Sequence, residues 1–129
     1  MRKVFFILLL AGLLLAACSS EQPDISVEAT ELDLGTVVNG EMVIKELQVS
    51  NLGGVELVID ESTTSCSCTK ATLSPMNIPP GESGLLHIEF DSGFHGPELT
   101  GQLIRQVFIK SNDPQQPEAR VELDVFVEG

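Results

Sequence analysis

The sequence predicts an all-β protein built as two stacked antiparallel sheets, and three observations carry that expectation. Apolar and polar residues alternate with a period of two: Val121, Leu123, Val125 and Val127 against Glu122, Asp124 and Glu128. Leu86, Ile88 and Phe90 alternate in the same way with His87, Glu89 and Asp91. One apolar face per strand marks a half-buried antiparallel strand. Turn signals recur at Asn39-Gly40, Leu52-Gly53-Gly54, Pro79-Pro80-Gly81 and Asn112-Asp113-Pro114. Beyond the N-terminal segment, no stretch carries a 3.6-residue apolar stripe, so no amphipathic helix is expected.

Taken in order, the strands read "ISVEA", "LDLGTVV", "MVIKELQVSN", "VELVID", "GLLHIEF", "QLIRQVFIK" and "RVELDVFVE". About seven to eight short strands separated by such turns predict an immunoglobulin-like antiparallel β-sandwich, with a barrel as the structural alternative. The chain has no Trp, so the Cys…Trp…Cys core of antibody domains is excluded. "QLIRQVFIK" has apolar residues on both faces, Ile104 and Phe108 opposite Val107 and Ile109. It reads as a central strand packed on both sides, or as a strand offering one face to a partner.

The N-terminus has a different pattern. Arg2 and Lys3, an apolar run from Val4 to Leu15, and the small pair Ala16-Ala17 form a signal peptide over residues 1–17. The run is short for a free-standing membrane span. It ends in "LAAC", which resembles the lipobox of bacterial lipoproteins. That resemblance implies that Cys18 is acylated and becomes the first mature residue. More than one acyl chain anchors a protein stably. Residues 18–24 then form a short lipidated tether and residues 25–129 the sandwich domain. The expected location is the bacterial cell envelope, with the domain facing the periplasm or the cell exterior.

Charge narrows the partners. All 19 acidic residues follow the signal segment, whereas two of the 7 bases lie within it, so the mature chain is more acidic than the whole-chain −12. Such a surface repels phosphate backbones, and with no Tyr or Trp it lacks stacking platforms, so no nucleic-acid partner is expected. The expected partners are the membrane, through the lipid, and another envelope protein.

"LDLGTVVNGEMVIKELQVSNLGGVELVI", "CSCT", "IPPGESGLLHIEFD" and "SNDPQQP" occur in that order. Together they resemble the bacterial secreted modules known as domain of unknown function 1573, related in pattern to the Hydin and abnormal-spindle immunoglobulin-like domains. The resemblance spans Leu32 to Val127 and implies a fold and an envelope location, with no reaction attached. The family typically has glycine between its cysteines, where this chain has Ser67, and aromatic residues where this chain has Leu47 and Val49.

Cys66 and Cys68 are the residues most suggestive of chemistry. With Cys18 acylated they form an even pair in an oxidising compartment. In a flat strand they would share a face with Cα atoms about 6.5–7 Å apart. A disulfide needs Cβ atoms roughly 3.5–4.5 Å apart, so closure requires a bend at Ser67. Three readings stay open. The pair is a structural disulfide or packed thiol pair; or it holds copper or zinc with His95 or His87 and thioether help from Met42 or Met76. Otherwise it is a thiol–disulfide redox site, with Lys70 as the nearest base. No cofactor is called for.

Catalytic groups are otherwise sparse. No serine lies in a G-x-S-x-G elbow, and the two histidines have no evident nucleophile partner. Asp60 and Glu61 are adjacent, so on a strand they face opposite ways, and they are expected to flank a turn. Asn112-Asp113-Pro114 is expected to be a turn rather than a calcium ligand set. The expected function is a lipid-anchored envelope binding or scaffolding module without enzymatic activity, with strand addition at a sheet edge as the mode.

Overall fold

The computed structural model describes residues 21–129; the signal segment, Cys18 and the first tether residues lie outside them. Nine strands follow in order: β1 (Ile25–Val27), β2 (Glu31–Val38), β3 (Met42–Asn51), β4 (Leu57–Thr64), β5 (Thr69–Ser74), β6 (Asn77–Ile78), β7 (Ser83–Asp91), β8 (Gly101–Ser111) and β9 (Glu118–Glu128). They form a four-stranded sheet, β1-β3-β7-β5, packed against a five-stranded sheet, β2-β9-β8-β4-β6. The all-β immunoglobulin-like sandwich is therefore the fold.

The strand count exceeds the expected seven or eight because the cysteine run itself yields β5 and leads into β6. In β5, Thr69 and Leu73 are buried and Ala71 is half-buried, while Lys70, Thr72 and Ser74 alternate outward. The period is that of a strand, but its inward residues are small or hydroxylated and give little hydropathy signal. The sandwich also contains one parallel pair. β1 runs antiparallel to β3 in one sheet, and the chain then crosses to lay β2 parallel to β9 in the other. Gly35, at φ +76°, sits where the β2–β9 register shifts, a conformation glycine adopts without a Cβ clash.

The core lies between the sheets. Val121, Leu123, Val125 and Val127 of β9, with Val107 and Ile109 of the neighbouring β8, face Leu86, Ile88 and Phe90 of β7 and Leu47 and Val49 of β3, all buried. Fully burying such a side chain is worth about 1.5–3 kcal/mol. β8 is central in its sheet, flanked by β9 and β4. Its outer face is not covered by a further layer: Ile104 is 53% exposed. The half-buried Phe108 lies under the Arg120 guanidinium, 5.4 Å from the ring centroid. Asp60 and Glu61 do not flank a turn. They lie within β4 at a register shift, and Glu61 pairs with Lys110 of β8 at 2.7 Å.

Buried polar side chains hold the loops. Asn51, fully buried, donates through Nδ2 to the Val55 and Ile78 carbonyls at 2.8 and 3.0 Å. Its Oδ1 accepts from the Asp24 and Gly53 amides at 3.3 and 3.0 Å. Asp113 accepts from Gln115 and Gln116 within its own turn, at 2.8 and 3.1 Å, and from Ile25 of β1 at 2.9 Å. It is a turn residue with both oxygens committed to backbone amides.

On the outer face of the four-stranded sheet, His87 of β7 lies opposite Glu46 of β3 and two residues from Glu89. Its Nδ1 lies 3.3 Å from the Glu46 carboxylate and its Nε2 3.3 Å from that of Glu89. The hydrogen bond to Glu46, followed by that to Glu89, raises the His87 pKa above its ordinary 6.5.

Two outcomes follow from these contacts. Asn51→Ala removes the side-chain partner of four backbone groups, two of them buried, and is expected to cost roughly 2–3 kcal/mol. It should lower the urea midpoint with an unchanged m value; an unshifted midpoint contradicts the role given to Asn51. For His87 the folded pKa lies above the unfolded one. Its stabilisation is complete well below pH 6.5 and is lost as pH rises through the folded value. The urea midpoints of the wild type and His87→Gln should therefore converge as pH rises above 6.5, and added salt should shrink the low-pH gap. A gap that widens with pH would reverse the assignment.

Candidate functional site

β4 ends at Thr64 and β5 begins at Thr69, so Cys66 and Cys68 occupy the turn between the two sheets rather than a strand. The Thr69 amide donates to the Cys66 carbonyl at 3.0 Å, closing the turn. The flat-strand spacing does not apply here: the Cα atoms are 5.2 Å apart and the two sulfurs form a disulfide.

Three elements hold this turn. Thr64 Oγ1 lies 2.9 and 2.8 Å from the Cys66 and Thr69 carbonyls. Ser65 exchanges two bonds with Gln106 of β8, amide to carbonyl and amide to hydroxyl, both at 2.9 Å. The Asp91 amide of β7 donates to the Cys68 carbonyl at 2.8 Å.

The two sulfurs have different surroundings. Cys68 is 3% exposed and belongs to the hydrophobic core, whereas Cys66 is half-buried. Arg105 of β8 donates Nε–H to Cys68 Sγ at 3.2 Å, and Thr69 Oγ1 lies 3.5 Å from the same sulfur. Cys66 Sγ accepts the Cys68 amide at 3.2 Å and lies 3.1 Å from His95 Nε2. A disulfide sulfur has no hydrogen to give, so the last contact is a hydrogen bond when Nε2 carries the proton.

His95 reaches the turn from the β7–β8 loop, which is pinned to the β2–β3 turn. Asn39 donates to the Gly96 and Leu99 carbonyls at 3.0 and 3.1 Å. Ser92 Oγ bonds the Val38 and Glu41 carbonyls and the Gly40 amide. A Cβ on Gly93 would meet the Gly40 backbone at 2.9 Å, so only glycine permits this approach. The Phe94 ring stands edge-on to His95, centroids 5.1 Å apart.

Of the residues that the sequence suggested, Cys66, Cys68 and His95 come together, their ligand atoms within 4.8 Å of one another. His87 is elsewhere, in its carboxylate ladder on the sheet face. Met42 and Lys70 line a hollow of about 190 Å³ with Ser67, Cys68, Glu89, Asp91 and Phe94. Met76 lies in the turn between β5 and β6, away from the sulfurs. The group that sequence reasoning missed is Arg105. Its signal was its register: Leu103, Arg105, Val107 and Ile109 form the inward-facing series of β8, and a cation in that series needs a partner inside.

The bridge closes a very short loop, so its entropic contribution is smaller than that of a long-range disulfide. Cross-linking residues two apart removes roughly 1.5 kcal/mol of unfolded-chain entropy by the loop-length relation, against about 3 for a 15-residue loop. Reduced, the pair and His95 form a soft donor set able to hold copper(I) or zinc. Oxidised, the half-buried Cys66 sulfur is the one open to attack by a thiolate.

The fold has clear relatives. A protein of unknown function from Porphyromonas gingivalis superposes with a TM-score of 0.75 at 26% identity, over 86% of this chain and 50% of that one. This chain thus spans half the length of that relative. The seventh PapD-like (ASH) domain of human CEP192 matches with a TM-score of 0.62 at 11% identity, over 90% of this chain and 93% of that one. The Escherichia coli chaperone DraB matches at 0.53 and 16%, over 80% and 54%. The last two likenesses establish the fold alone. No curated protein matches the chain. The model of the family described as protein of unknown function (DUF1573) matches residues 25–127. The chain belongs to the DUF1573 family.

Proposed function

We propose that this protein is a lipid-anchored binding module of the bacterial cell envelope that receives an extended segment of another envelope protein along β2. The observation that carries this reading is the edge position of β2. It pairs with β9 on one side, and no described strand pairs with the other. An open edge offers backbone donors and acceptors to an added strand; on β2 the Gly35 and Val38 amides already donate to the Asp33 and Glu41 carboxylates at 2.7 and 3.1 Å, so an added strand meets the remaining groups. β5, at the edge of the other sheet, is blunted: its Thr69 and Ala71 carbonyls already accept the Thr64 and Ser62 hydroxyls at 2.8 and 3.0 Å.

The surface beside β2 defines the partner's chemistry. Glu31 lies opposite Glu122 and Asp33 opposite Asp124, so four carboxylates share the outer face. Like charges placed opposite one another cost stability. A basic side chain from an added strand would offset that repulsion. Next to this block, Phe126, Ile104 and Val38 are exposed apolar residues on three adjacent strands, 45, 53 and 45% accessible, each offset by two residues from direct pairing. The preferred segment is extended and mixes lysine or arginine with aliphatic residues.

A synthetic peptide alternating lysine and valine tests this directly. β2 amides that neither pair with β9 nor meet the Asp33 and Glu41 carboxylates are expected to gain hydrogen-exchange protection when it binds, and salt or Asp33→Lys should weaken it. A glutamate–valine peptide should leave them unchanged. Equal binding of both peptides, or protection confined to other strands, sinks the reading. Anchoring has its own test: Cys18→Ser should move the protein from the membrane pellet to the soluble fraction. Retention of that variant in the membrane would remove Cys18 as the anchor.

A further inference from the structure

A neutral disulfide is a weak hydrogen-bond acceptor. Here four donor groups converge on one: Arg105 and Thr69 at Cys68 Sγ, His95 and the Cys68 amide at Cys66 Sγ. Two of them, a guanidinium and an imidazole, are the groups that stabilise thiolates. Such surroundings match the reduced pair far better than the oxidised one. The shortness of the closed loop keeps the bridge's entropic contribution below that of a long-range disulfide.

We propose that Cys66–Cys68 is an exchange-active disulfide that oxidises a pair of thiols on a second polypeptide. This goes beyond the binding role and uses a different part of the surface from β2. Half-buried Cys66 is the sulfur a substrate thiolate can reach. Attack there forms a substrate–Cys66 disulfide and breaks the Cys66–Cys68 bond. Cys68 leaves as a thiolate, held by Arg105 Nε–H and the Thr69 hydroxyl. The substrate's second thiolate then attacks its own bridged sulfur, forming the substrate disulfide and releasing Cys66 as a thiolate beside His95. Two electrons pass from the substrate to the protein pair. The two substrate protons go to solvent or remain on the new thiols.

The surroundings suit a polypeptide substrate. The hollow beside Cys68 presents Met42 and Phe94, 54 and 51% exposed, as apolar contacts next to the leaving sulfur. On the other side, His95, Glu98, Leu99 and Arg105 line a second depression. The same three side chains that could bind copper(I) are present. The guanidinium on Cys68 Sγ, however, occupies that buried sulfur's approach with a positive charge, which favours a thiolate over a metal cation.

The test uses the full chain, oxidised and purified in detergent, equilibrated with glutathione at several thiol-to-disulfide ratios, then acid-quenched and alkylated. Intact mass and peptide mapping are expected to show glutathione on Cys66, not Cys68, on the way to a reduced pair. Arg105→Gln should lower the reduced-to-oxidised ratio about tenfold at fixed glutathione, and Arg105→Lys should restore much of it. His95→Ala, in an exposed loop, should lower the ratio in the same direction even if Arg105→Gln fails to fold. A disulfide that glutathione leaves closed overturns the proposal. So does a ratio unchanged in both variants. Stoichiometric copper(I) uptake by the reduced chain that blocks reoxidation by oxidised glutathione also overturns it, and makes the cluster a metal site.

Discussion

The inward register of β8 and β9 is the constraint on which the rest of the molecule hangs. Gly101 to Lys110 pair without a break against Glu118 to Val127, and every second residue of both strands faces the opposite sheet. β2 is laid on one side of this ribbon and β4 on the other, so their registers inherit it. A slip of one residue would turn Val121, Leu123, Val125 and Val127 outward and bring Glu122 and Asp124 into the core. That penalty fixes the register, and with it the inward placement of Arg105.

Hydrophobic burial sets the sheets, but polar side chains set the loops, where the candidate site lies. Asn51 and Asp113 each satisfy several backbone groups that the sheet ladders leave over, tying the N-terminal strand to turns far away in sequence. Ser92 and Asn39 do the same for the loop carrying His95. Each bond is worth only about 1 kcal/mol net, yet leaving a buried partner unpaired costs more. The loop therefore has one strongly preferred path, and His95 meets Cys66 as a consequence.

Strands with a clean period-two pattern were legible from sequence, as was the turn role of Asp113, because both are local signals. β5 was not, since threonine, alanine and a single leucine on its inner face barely register as apolar. The candidate site was legible only in part. Cys66, Cys68 and His95 could be named by residue type, but the equal standing of His87 could not be resolved. Which histidine meets the sulfurs depends on a loop path that Asn39 fixes from 57 and 60 residues away. Lys70 was the nearest base along the chain, yet Arg105, 37 residues from Cys68, is the one at its sulfur. Proximity in sequence misleads in a sandwich, where most neighbours come from other strands.

Arg105 also links the fold's energetics to the site's chemistry. A guanidinium in an otherwise apolar series carries a desolvation cost that only good acceptors offset. The acceptors it finds are the Ile104 carbonyl at 2.9 Å and the sulfur of Cys68. Against a neutral disulfide sulfur the second of these is weak; against a thiolate it becomes a charge-assisted bond of roughly twice the strength. Opening the bridge would thus improve the arginine's own position while placing a negative sulfur in the core, and the two changes compensate. Without Arg105 the same opening would leave a buried thiolate with only the Thr69 hydroxyl beside it and no positive charge. On the proposed exchange, the residue that looks like a fault in the packing of β8 is the one that offers a charged partner to the core cysteine once its bridge opens.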